Sequence, residues 1–242
     1  MTEVIEKKIV IIPTFNESEN ILSLIENLQE FKIDILIVDD NSPDKTYDIV
    51  AKHNNFGKSI FAIKRYENKG YGNSIIDGIK FSLKNNYEII AQMDSDFSHN
   101  PNDLISMIKL CDMNLVIGSR YIPGGKIVGW KIHRILLSRY SNQFARFVLN
   151  THVKDLTSGF RVYSSNILRN IDYLDINSNG YSFLVELLNL IVKRNFEVIE
   201  FPITFIDRKK GKSKMNYQII FESVLKMFKI LLFDNPKNRK FF

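Results

Sequence analysis

Residues 8–40 read KIVIIPTFNESENILSLIENLQEFKIDILIVDD, and this stretch decides the fold. Its two ends, Lys8–Pro13 and Ile33–Asp39, are short apolar runs rich in β-branched residues, which is typical of strands buried on both faces. Between them, Asn16–Glu30 has apolar residues at helical spacing, at Ile21, Leu24, Ile25 and Leu28. The stretch therefore predicts a β–α–β unit with parallel strands and a right-handed crossover.

The same alternation continues to residue 118. Further strands are predicted at Ser59–Lys64, Glu88–Met93 and Leu115–Gly118, and further helices at Asp44–His53, Gly72–Leu83 and Pro101–Cys111. Repeated units of this kind predict an α/β protein with a doubly wound, mainly parallel sheet. Ligands of such sheets bind at the carboxyl ends of the strands, so we expect the site there.

After residue 119 the alternation stops. A glycine-rich loop, Pro123–Gly129, leads into a long helix at Ile132–Leu149, and a helix around Phe183–Arg194 precedes a strand at Glu197–Phe205. The last predicted helix, Asn216–Phe233, is largely apolar and carries three charged residues on one face: Glu222, Lys226 and Lys229. We predict one domain over residues 1–215 and an amphipathic, basic segment over residues 216–242.

The composition excludes several classes of protein. The chain has 242 residues, of which 45% are hydrophobic and 25% are charged, so it is neither disordered nor fibrous. Cys111 is the only cysteine, which excludes an intrachain disulfide and argues against a cysteine zinc site; we expect it to be buried. The first residues lack the apolar core of a signal peptide, so we expect a cytoplasmic protein.

The positive charge is concentrated in two segments. The whole chain has a net charge of +6, from 33 Lys/Arg and 27 Asp/Glu. Residues 120–154 hold seven Lys/Arg and no acid, and residues 208–242 hold ten Lys/Arg and two acids, so the rest of the chain is acidic. This asymmetry indicates an anionic partner, for which phosphate, nucleic acid and an anionic membrane are the candidates.

Paired acids follow two of the predicted strands. Asp39 and Asp40 end the second strand, and Asp94 and Asp96 follow the fourth. In a parallel sheet both pairs project from one edge, where four carboxylates repel one another unless a cation and hydrogen-bond donors join them. Oxygen ligands of this kind suit Mg²⁺ or Mn²⁺, and a carboxylate can also accept hydrogen bonds from a ribose or a base. The pairs therefore predict a metal or nucleotide site.

Three familiar alternatives fit less well. The first strand is followed by PTFNESEN, which has no glycine, so the dinucleotide-binding fingerprint is missing, and no P-loop sequence occurs. The segment DSDFS, residues 94–98, resembles the nucleophile motif of haloacid dehalogenase-type phosphatases, but that motif normally follows the first strand of its sheet. The four histidines show no metal-ligand spacing, and we interpret each of them as a surface or structural residue.

Several motifs occur in an order that resembles a known family. They are VIIPTFNESENI (10–21), IVDDNSPDKT (37–46), NKGYGNSIIDG (68–78) and MDSDFSHNP (93–101). They look like glycosyltransferase family 2 enzymes with the GT-A fold. Later motifs narrow the resemblance to dolichol-phosphate (polyprenol-phosphate) mannose synthases: GSRY (118–121), the pair Trp130 and Arg134, DLTSGFRVY (155–163), GYSFLVE (180–186) and FPITFIDRKKGKSKM (201–215).

The resemblance implies transfer of mannose from GDP-mannose to a polyprenyl (dolichyl) monophosphate, with inversion. The acceptor oxygen is already ionised near neutral pH, so no protein base is required. The resemblance assigns Mg²⁺ or Mn²⁺ to Asp94, Asp96 and Ser98, with Asp96 as the central ligand; the ion would neutralise charge on the leaving diphosphate. It also implies a nucleotide site lined by five residues: Pro13, Phe15, Glu17, Asp40 and Asp94.

The resemblance assigns the basic residues to phosphate. Arg120, Arg134 and Arg208 match family arginines that hold the acceptor phosphate and the diphosphate, which a guanidinium can grip with two parallel bonds. Lys212 and Lys214 would join them from a loop that closes over the donor. We interpret Glu186 as a support for the loop arginines.

The lipid tail of the acceptor should stay in a membrane. This gives helix 216–233 and the basic tail a role in docking the site at the cytoplasmic membrane face, either directly or through a membrane-anchoring protein. One alternative is the same chemistry with UDP-glucose or UDP-GlcNAc as the donor. Another is a non-catalytic membrane or nucleic-acid binder, but no aromatic-rich strand of the kind found in RNA-recognition modules accompanies the basic residues, so we expect no nucleic-acid partner.

Overall fold

The computed structural model describes residues 6–176, 178 and 180–208. Its strands are β1 (Lys8–Thr14), β2 (Asp34–Asp39), β3 (Ile60–Lys64), β4 (Ile89–Gln92), β5 (Leu115–Ser119), β6 (Lys126–Val128), β7 (Arg161–Ser164), β8 (Val198–Pro202) and β9 (Thr204–Ile206). Its helices are α1 (Ile21–Gln29), α2 (Thr46–Ala51), α3 (Tyr71–Lys84), α4 (Pro101–Leu110), α5 (Ile132–Leu149), α6 (Ser165–Arg169) and α7 (Tyr181–Lys193), with a 3-10 turn at Tyr173–Asp175. The predicted helix 216–233 and the predicted domain boundary after residue 215 lie outside the described residues.

Seven strands form the central sheet, in the order β3-β2-β1-β4-β7-β5-β8. Strand β1 pairs in parallel with β2 and β4, and β5 pairs in parallel with β8. Strand β7 runs antiparallel between β4 and β5. Strands β6 and β9 form a second, two-stranded parallel sheet. The prediction of a doubly wound, mainly parallel α/β fold is confirmed.

Strand β1 shows why the sheet lies in the middle of the domain. Ile9 and Ile11 belong to an apolar cluster that includes residues of α3 and α7, whereas Val10 and Ile12 belong to a second cluster with residues of α1 and α4. Neighbouring side chains of a strand point to opposite faces, so the run KIVIIP is covered by helices on both sides. No helix within the described residues is long and apolar enough to cross a bilayer.

The loops after β1 and β2 are joined by hydrogen bonds at the carboxyl edge of the sheet. The backbone N–H groups of residues 16, 17 and 18 donate to side chains of the second loop: Ser42 Oγ (2.9 Å), Thr46 Oγ1 (3.1 Å) and Asp44 Oδ2 (2.9 Å). Helix α1 consequently begins at Ile21, five residues later than the predicted start at Asn16. The polar residues of NSPDKT therefore shape the rim where a ligand is expected.

The chain after residue 119 differs from the prediction in several elements. The predicted glycine-rich loop contains β6, and β7 and α6 were not predicted. The predicted single strand Glu197–Phe205 is two strands, because the chain leaves the central sheet at Ile203, whose N–H donates to Ser119 O at 3.0 Å. The following residues pair with β6, which brings the segment 204–208 beside the loop that follows β4.

Candidate active site

The first pair of aspartates has its hydrogen-bond and ion-pair partners within the protein. Asp39 is completely buried and accepts hydrogen bonds from Thr14 Oγ1 (3.0 Å) and from the Ser42 N–H (2.9 Å). Asp40 forms a buried ion pair with Arg65, which follows β3 directly, and also accepts the Gly70 N–H at 2.7 Å. Arg65 therefore supplies a positive charge at Asp40, where the sequence led us to expect an added cation, whereas Asp39 is held by neutral donors. The predicted nucleotide contact of Asp40 remains a prediction.

The second pair of aspartates lies in the turn after β4. The backbone of Phe97 has φ 59°, a left-handed conformation that costs free energy for a residue other than glycine. This turn lets Asp96 Oδ1 accept the Ser98 N–H at 3.1 Å. The side chain of Ser98 is buried, and its Oγ has no hydrogen-bond partner. The predicted metal-binding segment is therefore a tight turn that holds polar oxygens at the carboxyl edge of the sheet.

His99 fixes the base of this turn. Its ring is buried, stacks on Phe160 with 4.8 Å between ring centroids, and meets the ring of Phe205 edge-on at 5.6 Å. Its Nδ1 accepts the Asp94 N–H at 3.3 Å. Burial lowers the pKa of His99 to about 4, against an opposing effect of Asp96, so the ring is neutral near pH 7. The structure makes His99 a structural residue, which was one of the two roles predicted.

Two consecutive residues after β9 connect the acidic turn to α5. Arg208 Nη2 lies 3.0 Å from Asp96 Oδ2, and Arg134 Nη1 lies 3.2 Å from Asp207 Oδ1. The Asp207 N–H donates to Val128 O at 2.8 Å, and the Ile206 N–H donates to Ser98 O at 3.2 Å. The structure thus brings together three predicted site residues from distant parts of the sequence: Asp96, Arg134 and Arg208.

Arg120 lies behind this contact in a buried ion pair. Its Nε and Nη2 donate to the two carboxylate oxygens of Asp155, each at 2.7 Å, and its backbone N–H donates to the same carboxylate. The guanidinium carbons of Arg120 and Arg134 lie 5.5 Å and 3.9 Å from the ring centroid of Trp130. Trp130 therefore connects both arginines, while the predicted phosphate contact of Arg120 remains a prediction.

The other predicted site residues lie on β1 and its loop, on α7, or beyond the described residues. Pro13, Phe15 and Glu17 lie on β1 and the loop that follows it, and the Glu17 carboxylate accepts a hydrogen bond from Asn20 at 3.0 Å. The Glu186 carboxylate accepts a hydrogen bond from Ser178, and its predicted support of arginines remains a prediction. Lys212 and Lys214 lie outside the described residues.

The donor set of the turn suits a hard divalent cation. Within the described ranges, no three or more His, Cys, Asp or Glu side chains form a group that could hold a metal ion. The predicted set, Asp94, Asp96 and the Ser98 hydroxyl, has two carboxylates and one hydroxyl, and it remains a prediction. Mg²⁺ fits such a set, because it is usually held by one or two carboxylates and completes its shell with phosphate oxygens and waters. The buried, unpartnered Ser98 Oγ favours a further ligand at this point.

Sequence reasoning missed three residues that organise the site, and it gave a fourth, His99, only a general structural role. Arg65 and Asp155 form the buried ion pairs, Asp207 holds Arg134, and His99 supports the turn. Asp207 stands directly beside a predicted phosphate arginine, and Asp155 and His99 lie in quoted motifs, so all three had a local signal. Arg65 had none, because its partner Asp40 follows a different strand.

Comparisons with known sequences match this chain to glycosyltransferases. The family described as "Glycosyl transferase family 2" matches residues 9–172. The polyprenol monophosphomannose synthase of Mycolicibacterium smegmatis is 34% identical over 229 residues, which cover 92% of this chain and 86% of that protein. The undecaprenyl-phosphate mannosyltransferase of Micrococcus luteus is 35% identical over 220 residues, which cover 90% of each. The dolichol-phosphate mannosyltransferase of Pyrococcus furiosus is 31% identical, over 95% of this chain and 65% of that protein.

Solved structures share the fold at lower identity. A crystal structure of glucosyl-3-phosphoglycerate synthase from Mycobacterium tuberculosis, in complex with Mn²⁺, UDP and glucosyl-3-phosphoglycerate, superposes with a TM-score of 0.59 and 16% identity. The match covers 94% of this chain and 77% of that one. A structure of the same enzyme with Mn²⁺, UDP and phosphoglyceric acid gives a TM-score of 0.63 at 14% identity. These similarities show a common architecture.

Proposed function

Because the chain belongs to glycosyltransferase family 2 and has the GT-A fold, we propose that it transfers mannose from GDP-mannose to a polyprenyl (dolichyl-type) monophosphate. The product is polyprenyl-phosphate mannose, formed with inversion at the sugar. The relatives that act on polyprenol, undecaprenyl and dolichol phosphates by their names support this sugar and this class of acceptor.

The contact between the acidic turn and the basic segment carries the proposal. Transfer from a nucleotide diphosphate to a phosphate brings two anionic groups together, so the site needs ligands for a cation and cations of its own. Asp96 and Arg208 lie 3.0 Å apart, and Arg134 forms an ion pair with Asp207, the residue before Arg208. Both kinds of charge therefore meet at the carboxyl edge of the sheet, where α/β folds bind their ligands.

Each group has a separate role in the proposed reaction. The acceptor phosphate oxygen attacks the sugar carbon, the bond from that carbon to the diphosphate breaks, and no protein base takes a proton. Asp94, Asp96 and Ser98 would hold Mg²⁺ or Mn²⁺, which neutralises the charge that develops on the leaving diphosphate. Arg208 would contact the diphosphate as well as the acceptor phosphate, and Arg134 would grip the acceptor phosphate with paired N–H bonds and orient it towards the sugar. Lys212 and Lys214 are proposed to add positive charge around the same phosphate.

Transfer assays with labelled donors test the proposal. The protein is incubated with a polyprenyl phosphate, a divalent cation and GDP-mannose, UDP-glucose or UDP-GlcNAc, each radiolabelled in the sugar, and the label in extracted lipid is counted. We expect label from GDP-mannose alone. The variant Asp96→Asn should lose about a thousandfold in rate, the size of effect seen when a main charge-stabilising group is removed, whereas Asp172→Asn, at an exposed acid paired with Arg194, should keep full rate. Label from a UDP-sugar alone would reject mannose transfer.

Helix α5 supports a membrane location for the acceptor. Its outer face exposes large apolar side chains, with Ile132 76% and Phe147 77% exposed, while Ala145 and Val148 are buried on the other face. Residues 120–154 around it carry seven basic residues and no acid. An apolar face flanked by positive charge suits the surface of an anionic leaflet. We place the enzyme peripherally at the cytoplasmic face of a membrane, with the C-terminal segment 216–242 as a second proposed contact.

A further inference from the structure

Asp96 is already bound to a cation that belongs to the protein. Its Oδ2 lies 3.0 Å from Arg208 Nη2, and its Oδ1 accepts the Ser98 N–H at 3.1 Å. The Asp96 side chain is only 5% exposed, so its oxygens have little room for more partners. A metal ion that binds Asp96 must therefore compete with the Arg208 guanidinium for the same carboxylate.

We propose that Arg208 is an internal counter-ion of Asp96, which a divalent cation displaces when it binds. The inference rests on the proposed function, because that function makes Asp96 a metal ligand. Displacement replaces one cation by another, so the nearly buried carboxylate is never left without a positive neighbour, which would be costly. Arg208 is 24% exposed, in contrast to 5% for Arg65 in the other aspartate pair, so it can leave the carboxylate without unpacking the core.

Displacement couples the metal to the phosphates. Arg208 weakens metal binding as long as its guanidinium is paired with Asp96. A nucleotide diphosphate supplies one, because its oxygens accept the two parallel N–H bonds of a guanidinium. The metal should consequently bind weakly alone and much more tightly with the nucleotide, and by thermodynamic reciprocity the nucleotide should bind more tightly with the metal. Arg208 thus disfavours loading of the site with a bare metal ion.

The protein contains its own reporter of this exchange. Trp130 is the only tryptophan of the chain. The Arg134 guanidinium lies 3.9 Å from its ring centroid and is paired with Asp207, the residue next to Arg208. Displacement of Arg208 by a metal ion changes the charges close to this cluster, so we expect Trp130 emission to change on metal binding. The signal requires neither sugar nor lipid.

Titration with Mn²⁺ alone tests the proposal. Free Mn²⁺ is measured by electron paramagnetic resonance in the absence of nucleotide for the full-length wild type and its variants. Arg208→Gln should bind Mn²⁺ about tenfold more tightly, which is the order of one partly buried charge pair. Arg208→Lys, which keeps the charge, should stay close to wild type, and Arg194→Gln, at an exposed arginine paired with Asp172, should not differ from it. GDP should tighten Mn²⁺ binding more in the wild type than in Arg208→Gln.

The outcomes separate this inference from the proposed function. If Arg208→Gln binds Mn²⁺ no more tightly than wild type while its circular dichroism and thermal transition are unchanged, the competition is overturned, and mannose transfer is untouched. The variant Asp96→Asn should lose Mn²⁺ binding in both the wild-type and the Arg208→Gln background. Unchanged binding in Asp96→Asn would place the metal elsewhere and reject the metal site of the proposed function as well.

Discussion

The two aspartate pairs look alike in the sequence but have different neighbours in the structure. Asp40 is paired with Arg65, whose side chain is nearly buried and also binds Asp77 at 2.7 Å. Asp96 is paired with Arg208 at the rim of the sheet. A buried arginine held by two carboxylates is a fixed part of the fold, whereas one at the rim can exchange partners. Arg65 therefore has a structural role, whereas Arg208 has a proposed ligand-binding role.

The buried pair of Arg120 and Asp155 gives a prediction about stability. Asp155 is completely buried, so Arg120→Ala leaves a charged carboxylate without its counter-ion. We expect a loss of about 3–5 kcal/mol in the free energy of unfolding, measured by urea denaturation. The double variant Arg120→Met with Asp155→Asn removes both charges and should recover part of the loss, because the two effects are not additive. A loss below about 1 kcal/mol in Arg120→Ala would show that the pair contributes little.

Most elements of the first half could be predicted because their signals are local. Strands β1, β2 and β3 are apolar runs of the expected length, and the helices between them repeat apolar residues at helical spacing. The same reasoning placed the acidic residues at the ends of β2 and β4, where the structure has them, while their role in a site remains a prediction.

Strand β7 could not be predicted because its main stabilising contacts come from elsewhere. It has only four residues, RVYS, and its first residue, Arg161, is fully buried. The Arg161 guanidinium donates to three backbone carbonyls, those of Leu156 (2.6 Å), Ser158 (2.9 Å) and Leu184 (3.0 Å). A buried charge satisfied by backbone carbonyls has no signature in a hydrophobicity pattern. The break between β8 and β9 was missed because EFPITF is rich in strand-forming residues, although Pro202 at the end of β8 marks the point where the strand ends.

The packing of α3 on β1 gives a prediction that opposes helix propensity. Gly78 lies inside α3, where alanine would normally stabilise a helix by about 1 kcal/mol. A Cβ at this position would lie 2.5 Å from Ile11 Cγ2, well inside van der Waals contact. We therefore expect Gly78→Ala to destabilise the protein by about 1–3 kcal/mol in urea denaturation.

Removal of the clashing methyl group supplies the control for this variant. Ile11→Ala alone leaves a cavity in the core and should itself be destabilising. Combined with Gly78→Ala, it should cost less than the sum of the two single changes, because the added methyl group fills part of that space. Strict additivity of the two changes would show that α3 adjusts its position and that the close approach to β1 is not required.

The distribution of charge over the whole chain connects the site to the proposed membrane surface. The sequence predicted an anionic partner from the two basic segments, but it assigned membrane contact to residues 216–242, which lie outside the description. The exposed apolar face of α5 was not predicted, because apolar residues occur around much of this helix and periodicity does not show which side is covered. The structure shows that its N-terminal turn carries Arg134, so the same helix has the exposed face and a proposed phosphate ligand.

Vesicle binding tests this arrangement in the full-length protein. We expect co-sedimentation with vesicles that contain phosphatidylglycerol, weak binding to vesicles of phosphatidylcholine alone, and a decrease as salt rises from 0.05 to 0.5 M, roughly the range over which counter-ions screen surface charge. Phe147→Glu places a negative charge on the exposed face of α5 and should reduce binding about tenfold or more, because it removes apolar contact and adds repulsion. Leu174→Glu, at a comparably exposed apolar residue of the 3-10 turn, serves as the matched control and should bind as wild type. Full retention by Phe147→Glu would exclude α5 from the membrane contact and leave the C-terminal segment as the proposed anchor.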